Sequence, residues 1–223
     1  EAGRAITDRP DLAVVEVSGP DRLTWLTSIS SQVLTGIVPG ESRELLIMNP
    51  QGHIEHACGA LDDGEILYLI TEASDAQALA DWLNSMRFAL RVEITISQRW
   101  WLLGSIGDSG VSQCDQVALT WNDPWPGIVD GGAAYYQGKH PGESLVPREQ
   151  AREFWREWSE GAPKRRAAGI AAWEATRIAA WRPRLGHETD ARSMPAELDW
   201  LRTAVHTNKG CYRGQEAVAR ILN

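Results

Sequence analysis

Apolar and polar positions along the first hundred residues switch between two periods, and the switches mark the elements. Leu12 to Val17 is a mostly apolar run and predicts a buried strand. Ser18-Gly19-Pro20-Asp21 then opens a helix, along which Leu23, Leu26, Ile29 and Val33 recur at helical spacing. A loop from Gly36 to Gly40 leads to a short strand, Leu45 to Met48, and a turn at Asn49-Pro50-Gln51-Gly52. His53 to Leu61 and Glu65 to Ile70 read as a hairpin closed at Asp62-Asp63-Gly64. Ser74 is placed to cap a helix running to about Phe88, with Ala78, Trp82, Leu83 and Met86 inward. Val92 to Ser97 alternates again and predicts a strand.

The order β-α-β-β-β-α-β interrupts a mainly antiparallel set of strands with helices, which is an α+β pattern and not a doubly wound one. From Trp100 to about Leu145, strand-like pieces are separated by Gly, Pro and Asp. Pro147 to Glu160 predicts an amphipathic helix carrying Phe154, Trp155 and Trp158. After a break at Gly161-Ala162-Pro163, Ala167 to Trp181 predicts an alanine-rich helix ended by Pro183 and Gly186. The second half thus repeats the strands-then-helices order of the first. Two related lobes are expected, residues 1–99 and 100–183. Residues 184–223 then form an extended connection that delivers the chain to a cysteine-bearing segment packing back on the lobes.

Composition narrows the partners. The chain has 223 residues, ample for a proper core, and a net charge of −8. That charge argues against a phosphate-backbone binder, so no direct nucleic-acid partner is expected. The clusters Lys164-Arg165-Arg166 and Arg182-Pro183-Arg184 read as solvated loops with room for one small anion. No apolar run reaches the roughly 18 to 20 residues of a membrane span. Three scattered cysteines, Cys58, Cys114 and Cys211, make neither a disulfide framework nor a C-x-x-C metal pair, and point to a reduced, cytoplasmic setting. The five histidines show no metal-ligand spacing, and His53 and His56, three apart in a strand, point to opposite faces. Eleven tryptophans against two phenylalanines leave two readings open: core packing, or a groove for a flat ligand.

The candidate chemistry lies near the C-terminus, in Lys209-Gly210-Cys211-Tyr212-Arg213-Gly214-Gln215-Glu216 followed by Ala219-Arg220. Cys211 stands between two cations, just before a stretch that reads as helical. Cations and a helix N-terminus both favour the thiolate, which is the reactive form of the group. Gly210 and Gly214 suggest a backbone that bends tightly or approaches a ligand closely. Lys209 is a candidate for lowering the thiol pKa or holding a ligand carboxylate. Glu216 reads as a dipole-complementing carboxylate or a loop anchor, and it stands at i, i+4 from Arg220. Nucleophile, sulfur carrier, radical quencher and redox sensor all remain open for Cys211.

This segment resembles the signature of YgfZ-type folate-binding proteins, relatives of the glycine-cleavage T-protein (aminomethyltransferase). Val17-Ser18-Gly19-Pro20-Asp21 with Leu26, Asn49-Pro50-Gln51-Gly52-His53-Ile54, Arg177-Ile178, Pro183-Arg184-Leu185-Gly186 and Met194-Pro195-Ala196-Glu197 are similar to further parts of that family, so the resemblance spans nearly the whole chain. It implies α+β lobes around a central channel that admits tetrahydrofolate or a derivative. It also implies a C-terminal β-rich domain, absent or truncated here. The function implied is maintenance of iron–sulfur enzymes, tRNA-modifying ones among them, as clients of the reactive Cys211. Arg177, placed for a folate carboxylate or for a structural bond, and Trp181 are the candidate cofactor-binding residues, and no protein-ligated metal is expected.

The chain departs from the pattern at one telling point. The T-protein branch carries Glu two residues after the Arg that matches Arg177, and here that residue is Ala179. A carboxylate is the natural partner of the N–H donors on a pterin edge. Its loss removes about 1.5 to 3 kcal/mol, or about 10- to 100-fold in affinity. Trp181, where Gly is common, is placed to stack on the ring or to fill the pocket. An accessory protein, a folate-dependent one-carbon transferase, and the same fold with another planar ligand are the alternatives the residues leave.

Overall fold

A computed structural model describes residues 5–107, 109–125, 141–162 and 165–222, with ten strands and five α-helices among them. They form two compact units, each assembled from two separate stretches of chain. The first unit combines residues 1–12 with 97–182, and the second combines 13–96 with 183–223. The fold is mixed α+β, each unit holding one five-stranded sheet.

In the second unit the strands are β2 (Leu12–Ser18), β3 (Ser42–Met48), β4 (Ile54–Asp62), β5 (Ile66–Glu72) and β6 (Glu93–Ser97), in the order β3-β4-β5-β2-β6. The pairs β3–β4 and β4–β5 are antiparallel, with a register shift between Ile47 and Met48. One face of β4 carries Ile54, His56, Cys58 and Ala60, all buried. Cys58 and Ala60 of that face join Val15, Val17, Leu45, Ile47, Leu67 and Leu69 in a core closed by α1 (Arg22–Ile29) and α2 (Ala76–Met86) through Trp25, Leu26, Leu79 and Leu83. The opposite face of β3 is buried as well, because the C-terminal segment covers it. There Glu44 accepts hydrogen bonds from Trp200 Nε1 at 2.9 Å and Thr203 Oγ1 at 2.6 Å. A strand covered on both faces reads as a continuous apolar run, which is why Leu45–Met48 does.

The first unit orders its sheet β10-β1-β7-β9-β8, from β1 (Ala5–Asp8), β7 (Trp100–Ile106), β8 (Leu119–Asn122), β9 (Pro141–Pro147) and β10 (Arg166–Ala168). All its pairs are antiparallel except β1–β10. Phe154 and Trp158 of α3 (Ala151–Glu160) pack into its core beside Ile6, Leu103 and Val146. Then α4 (Ile170–Ala179) lies against β7, where Gly104 makes room for an indole: a Cβ there would sit 2.8 Å from the Trp173 ring.

Four boundaries differ from the expected ones, each for a tertiary reason. The first helix stops at Ile29 and does not reach Val33. Ser31 leaves the helical path because its hydroxyl bonds the Ala204 carbonyl and accepts from the Leu46 amide. The N-cap of α2 is Asp75, not Ser74. Residues 141–147 stay in strand β9, paired with Trp100–Ile106, so α3 begins at Ala151 and not at Pro147. Arg166–Ala168 pair with Ala5–Thr7 as β10, so α4 starts only at Ile170 and ends at Ala179. Of the strand-like stretch expected between Trp100 and Leu145, residues 126–140 lie outside the described residues, as does Lys164.

Candidate functional site

The signature segment is a loop held at several points. Gly214 has φ +86°, a conformation that favours glycine, and a Cβ on it would meet the Asn49 carbonyl oxygen at 2.9 Å and Met48 Cβ at 3.0 Å. Opposite it Gly52, at φ +85°, leaves no room for a side chain against Ala217. The Asn49–Gly52 turn and the loop therefore meet backbone to backbone. Gly210 is different: its φ is not positive, and no described atom lies within 4 Å of where a Cβ would stand. Of the two glycines expected to bend tightly or to approach a ligand closely, Gly214 is the one with a positive φ and a close backbone neighbour.

The two cations flanking Cys211 have partners of their own. Arg213 pairs with Glu55 at 3.1 Å, and its guanidinium lies 5.9 Å from the Trp82 ring centre. Lys209 is half-buried and donates to the carbonyls of Thr27 and Ser30, and to that of Gln32 at 3.3 Å. Its ammonium also lies 4.7 Å from the centre of the Tyr212 ring. The Thr27 carbonyl belongs to the last turn of α1, which has no helical donor left to satisfy it. Burial pushes the Lys209 ammonium down to about 8. The three carbonyls pull the other way, since only the charged form offers three N–H donors.

Cys211 itself is exposed, whereas Cys58 and Cys114 are buried. Burial pushes both of those thiols up, with the neighbouring Asp75 carboxylate adding to the effect at Cys58 and Glu157 at Cys114. They are inert packing thiols. Tyr212 is buried, and burial pushes its phenol up. Gln215 begins α5 (Gln215–Leu222), so the thiol lies four residues ahead of that helix. Glu216 is in the first turn of α5 and Arg220 in the last, both exposed and not ion-paired with each other.

In the first unit, Arg177 and Trp181 sit at the C-terminal end of α4. Arg177 binds Glu174 at 2.9 Å and donates to the Arg182 carbonyl at 2.6 Å, so its guanidinium closes the helix end. Trp181 occupies the left-handed region at φ +55°, and its side chain is 73% exposed. The Arg182 amide bonds the Arg177 carbonyl and the Trp181 amide bonds that of Ile178, the paired bonds of a Schellman cap whose usual occupant is glycine. Two further contacts hold the turn. Trp125 Nε1 donates to the Ala180 carbonyl at 2.9 Å, and Arg182 pairs with Asp123 at 2.9 Å. Ile178, 60% exposed, and Ala179 complete the open end of this helix. Position 179 itself brings no carboxylate to this helix end, being alanine, and Glu174 is engaged by Arg177.

A pairing that sequence spacing does not reveal lies beside the signature loop. His56 Nδ1 is 2.9 and 3.0 Å from the two carboxylate oxygens of Asp75. Asp75 is the N-cap of α2, yet its side chain caps nothing in the helix and is turned to His56 instead. Trp82 lies between the two features, 6.2 Å from the His56 ring and under Arg213. A search for metal-ligand spacing passes over a His–Asp pair 19 residues apart; the unused N-cap is its only local trace.

No protein-family model matches the chain, and no curated protein matches it. Among solved structures it is similar to the glycine cleavage system aminomethyltransferase T from Bartonella henselae, with a TM-score of 0.76 and 17% identity. The match covers 100% of this chain and 64% of that one, so the chain spans less than two thirds of its neighbour's length. The likeness is one of fold: an aminomethyltransferase-like α+β arrangement, shortened relative to the full T protein.

Proposed function

We propose that this protein is a folate-binding accessory factor, of the YgfZ type, that maintains iron–sulfur enzymes through Cys211. The observation that carries the reading is the contrast among thiols: two are sealed in cores, and the third is exposed on a loop fixed by a lysine, an ion pair and a glycine contact. A loop built so firmly around an exposed thiol suits chemistry better than packing. Trp181, on the first unit, supplies the ring platform for a reduced folate. Without the carboxylate at position 179, binding rests on stacking and is weaker than in the T protein by about 10- to 100-fold. Lys209 acts in this reading by holding the loop, with Arg213, Gly214, Gln215 and Glu216 completing it.

The second reading, a one-carbon transferase, is favoured by the fold of the solved neighbour and disfavoured by Ala179. Cys211→Ser decides between them. The variant is expected to fold normally and to fail to restore iron–sulfur enzyme activity in a strain lacking the protein. Full restoration by the variant, together with methylene-tetrahydrofolate formation from an aminomethyl donor, would establish the transferase instead.

A further inference from the structure

Three backbone carbonyls and one aromatic face converge on a single point at the end of α1, and the group they surround is a primary ammonium. Thr27, Ser30 and Gln32 supply the oxygens, and Tyr212 supplies the ring. The oxygens are positioned independently of the lysine. Ser30 and Ser31 are fully buried, the Ser30 amide closes on the Leu26 carbonyl at 3.0 Å, and the Thr27 hydroxyl accepts from the amides of Leu34 and Thr35 at 2.8 and 3.0 Å. Gln32 Nε2 donates to the Glu44 carbonyl at 3.1 Å and the Thr203 carbonyl at 3.2 Å.

We propose that this end of α1 is an ammonium-binding cage which the chain fills with its own side chain, and that the tethered cation sets the position of the loop carrying Cys211. Charge and shape argue for it together. Carbonyl oxygens at a helix C-terminus attract a cation, and an ammonium offers three N–H bonds in a tripod where a guanidinium offers a flat fork. Among the 22 lysine and arginine residues only three are lysines, so the compact cation is the rarer choice in this chain. Among the described residues, the oxygens that receive this ammonium are all backbone carbonyls. Lys209 is thus a positioning residue for Cys211, two residues on. The inference deepens the proposed reading of that thiol, but its test uses neither folate nor thiol chemistry and so succeeds or fails separately.

The test is hydrogen exchange of residues 206–214 in the intact 223-residue chain, comparing wild type with Lys209→Ala at pH 7. Exchange in the variant is expected to rise at least about tenfold in this loop, with the β3–β4 hairpin unaffected. Propylammonium at tens of millimolar is expected to restore protection, and tetramethylammonium, which has no N–H donor, is not. Exchange within twofold of wild type would overturn the cage, as would a rise that propylammonium does not reverse. Should Lys209→Ala fail to fold, refolding with propylammonium replaces the exchange measurement: recovery supports the cage, and no recovery refutes it.

Discussion

Burial opposes the Lys209 charge that the three carbonyls favour, and Trp181 holds a backbone conformation that a non-glycine residue does not prefer. The Lys209 amine, lowered to about 8, compares with about 10.4 for a free lysine. Between these values the unfolded chain holds a proton that the folded chain has released. The group's contribution to unfolding free energy therefore rises with pH across that window, and at pH 7 the burial cost is fully present. Stability curves of wild type and Lys209→Met, measured by urea unfolding from pH 7.5 to 10, are expected to differ in slope, wild type being the steeper upward. Parallel curves would refute the burial of a titrating amine. Trp181 carries strain of another kind. Its left-handed φ of +55° costs a non-glycine residue about 1 to 2 kcal/mol, partly offset by the extra chain entropy a glycine would lose. Trp181→Gly is expected to raise stability by about 0.5 to 1 kcal/mol, while abolishing tryptophan quenching by tetrahydrofolate. Retained quenching would move the ring platform elsewhere.

At the scale of elements, the signature loop is a junction of three pieces: the end of α1, the Asn49–Gly52 turn, and the start of α5. Its two glycines give opposite expectations. Gly214→Ala places a methyl 2.9 Å from the Asn49 carbonyl oxygen in a left-handed backbone, and is expected to destabilise by at least about 2 kcal/mol. Gly210→Ala meets no described atom within 4 Å and a φ that is not positive. It is expected to be neutral or to stabilise by up to about 1 kcal/mol. Thermal unfolding of the pair checks both, and equal effects would contradict the loop geometry. The two substitutions also separate a scaffold glycine from one whose Cβ would meet no neighbour among the described residues.

For the whole molecule, the three thiols divide by burial. In the native state iodoacetamide is expected to label Cys211 alone, and in denaturant all three cysteines, as peptide mass mapping will read. Labelling of Cys58 or Cys114 without denaturant would mean that the cores open far more readily than their burial implies. The assembly of each unit from two distant stretches carries a further consequence. Closing such units requires pairings of long sequence separation, Ala5–Thr7 with Arg166–Ala168 among them, and contacts of that kind slow folding.

Periodicity alone determined most strands and helices, because alternation and 3.6-residue spacing record which face is buried. The cysteine motif singled out a loop that the structure holds firmly, because residue types suited to chemistry show in the letters. The partners of its charges were decided by tertiary structure. Lys209 is received by the carbonyls of Thr27, Ser30 and Gln32, some 180 residues upstream, and a carbonyl looks the same in every residue. The same holds for the helix ended early by Ser31, for the strand 166–168 completed by the chain's first residues, and for Asp75 drawn from its helix to His56. In each case a local preference was outweighed by a hydrogen bond that exists only after distant segments meet.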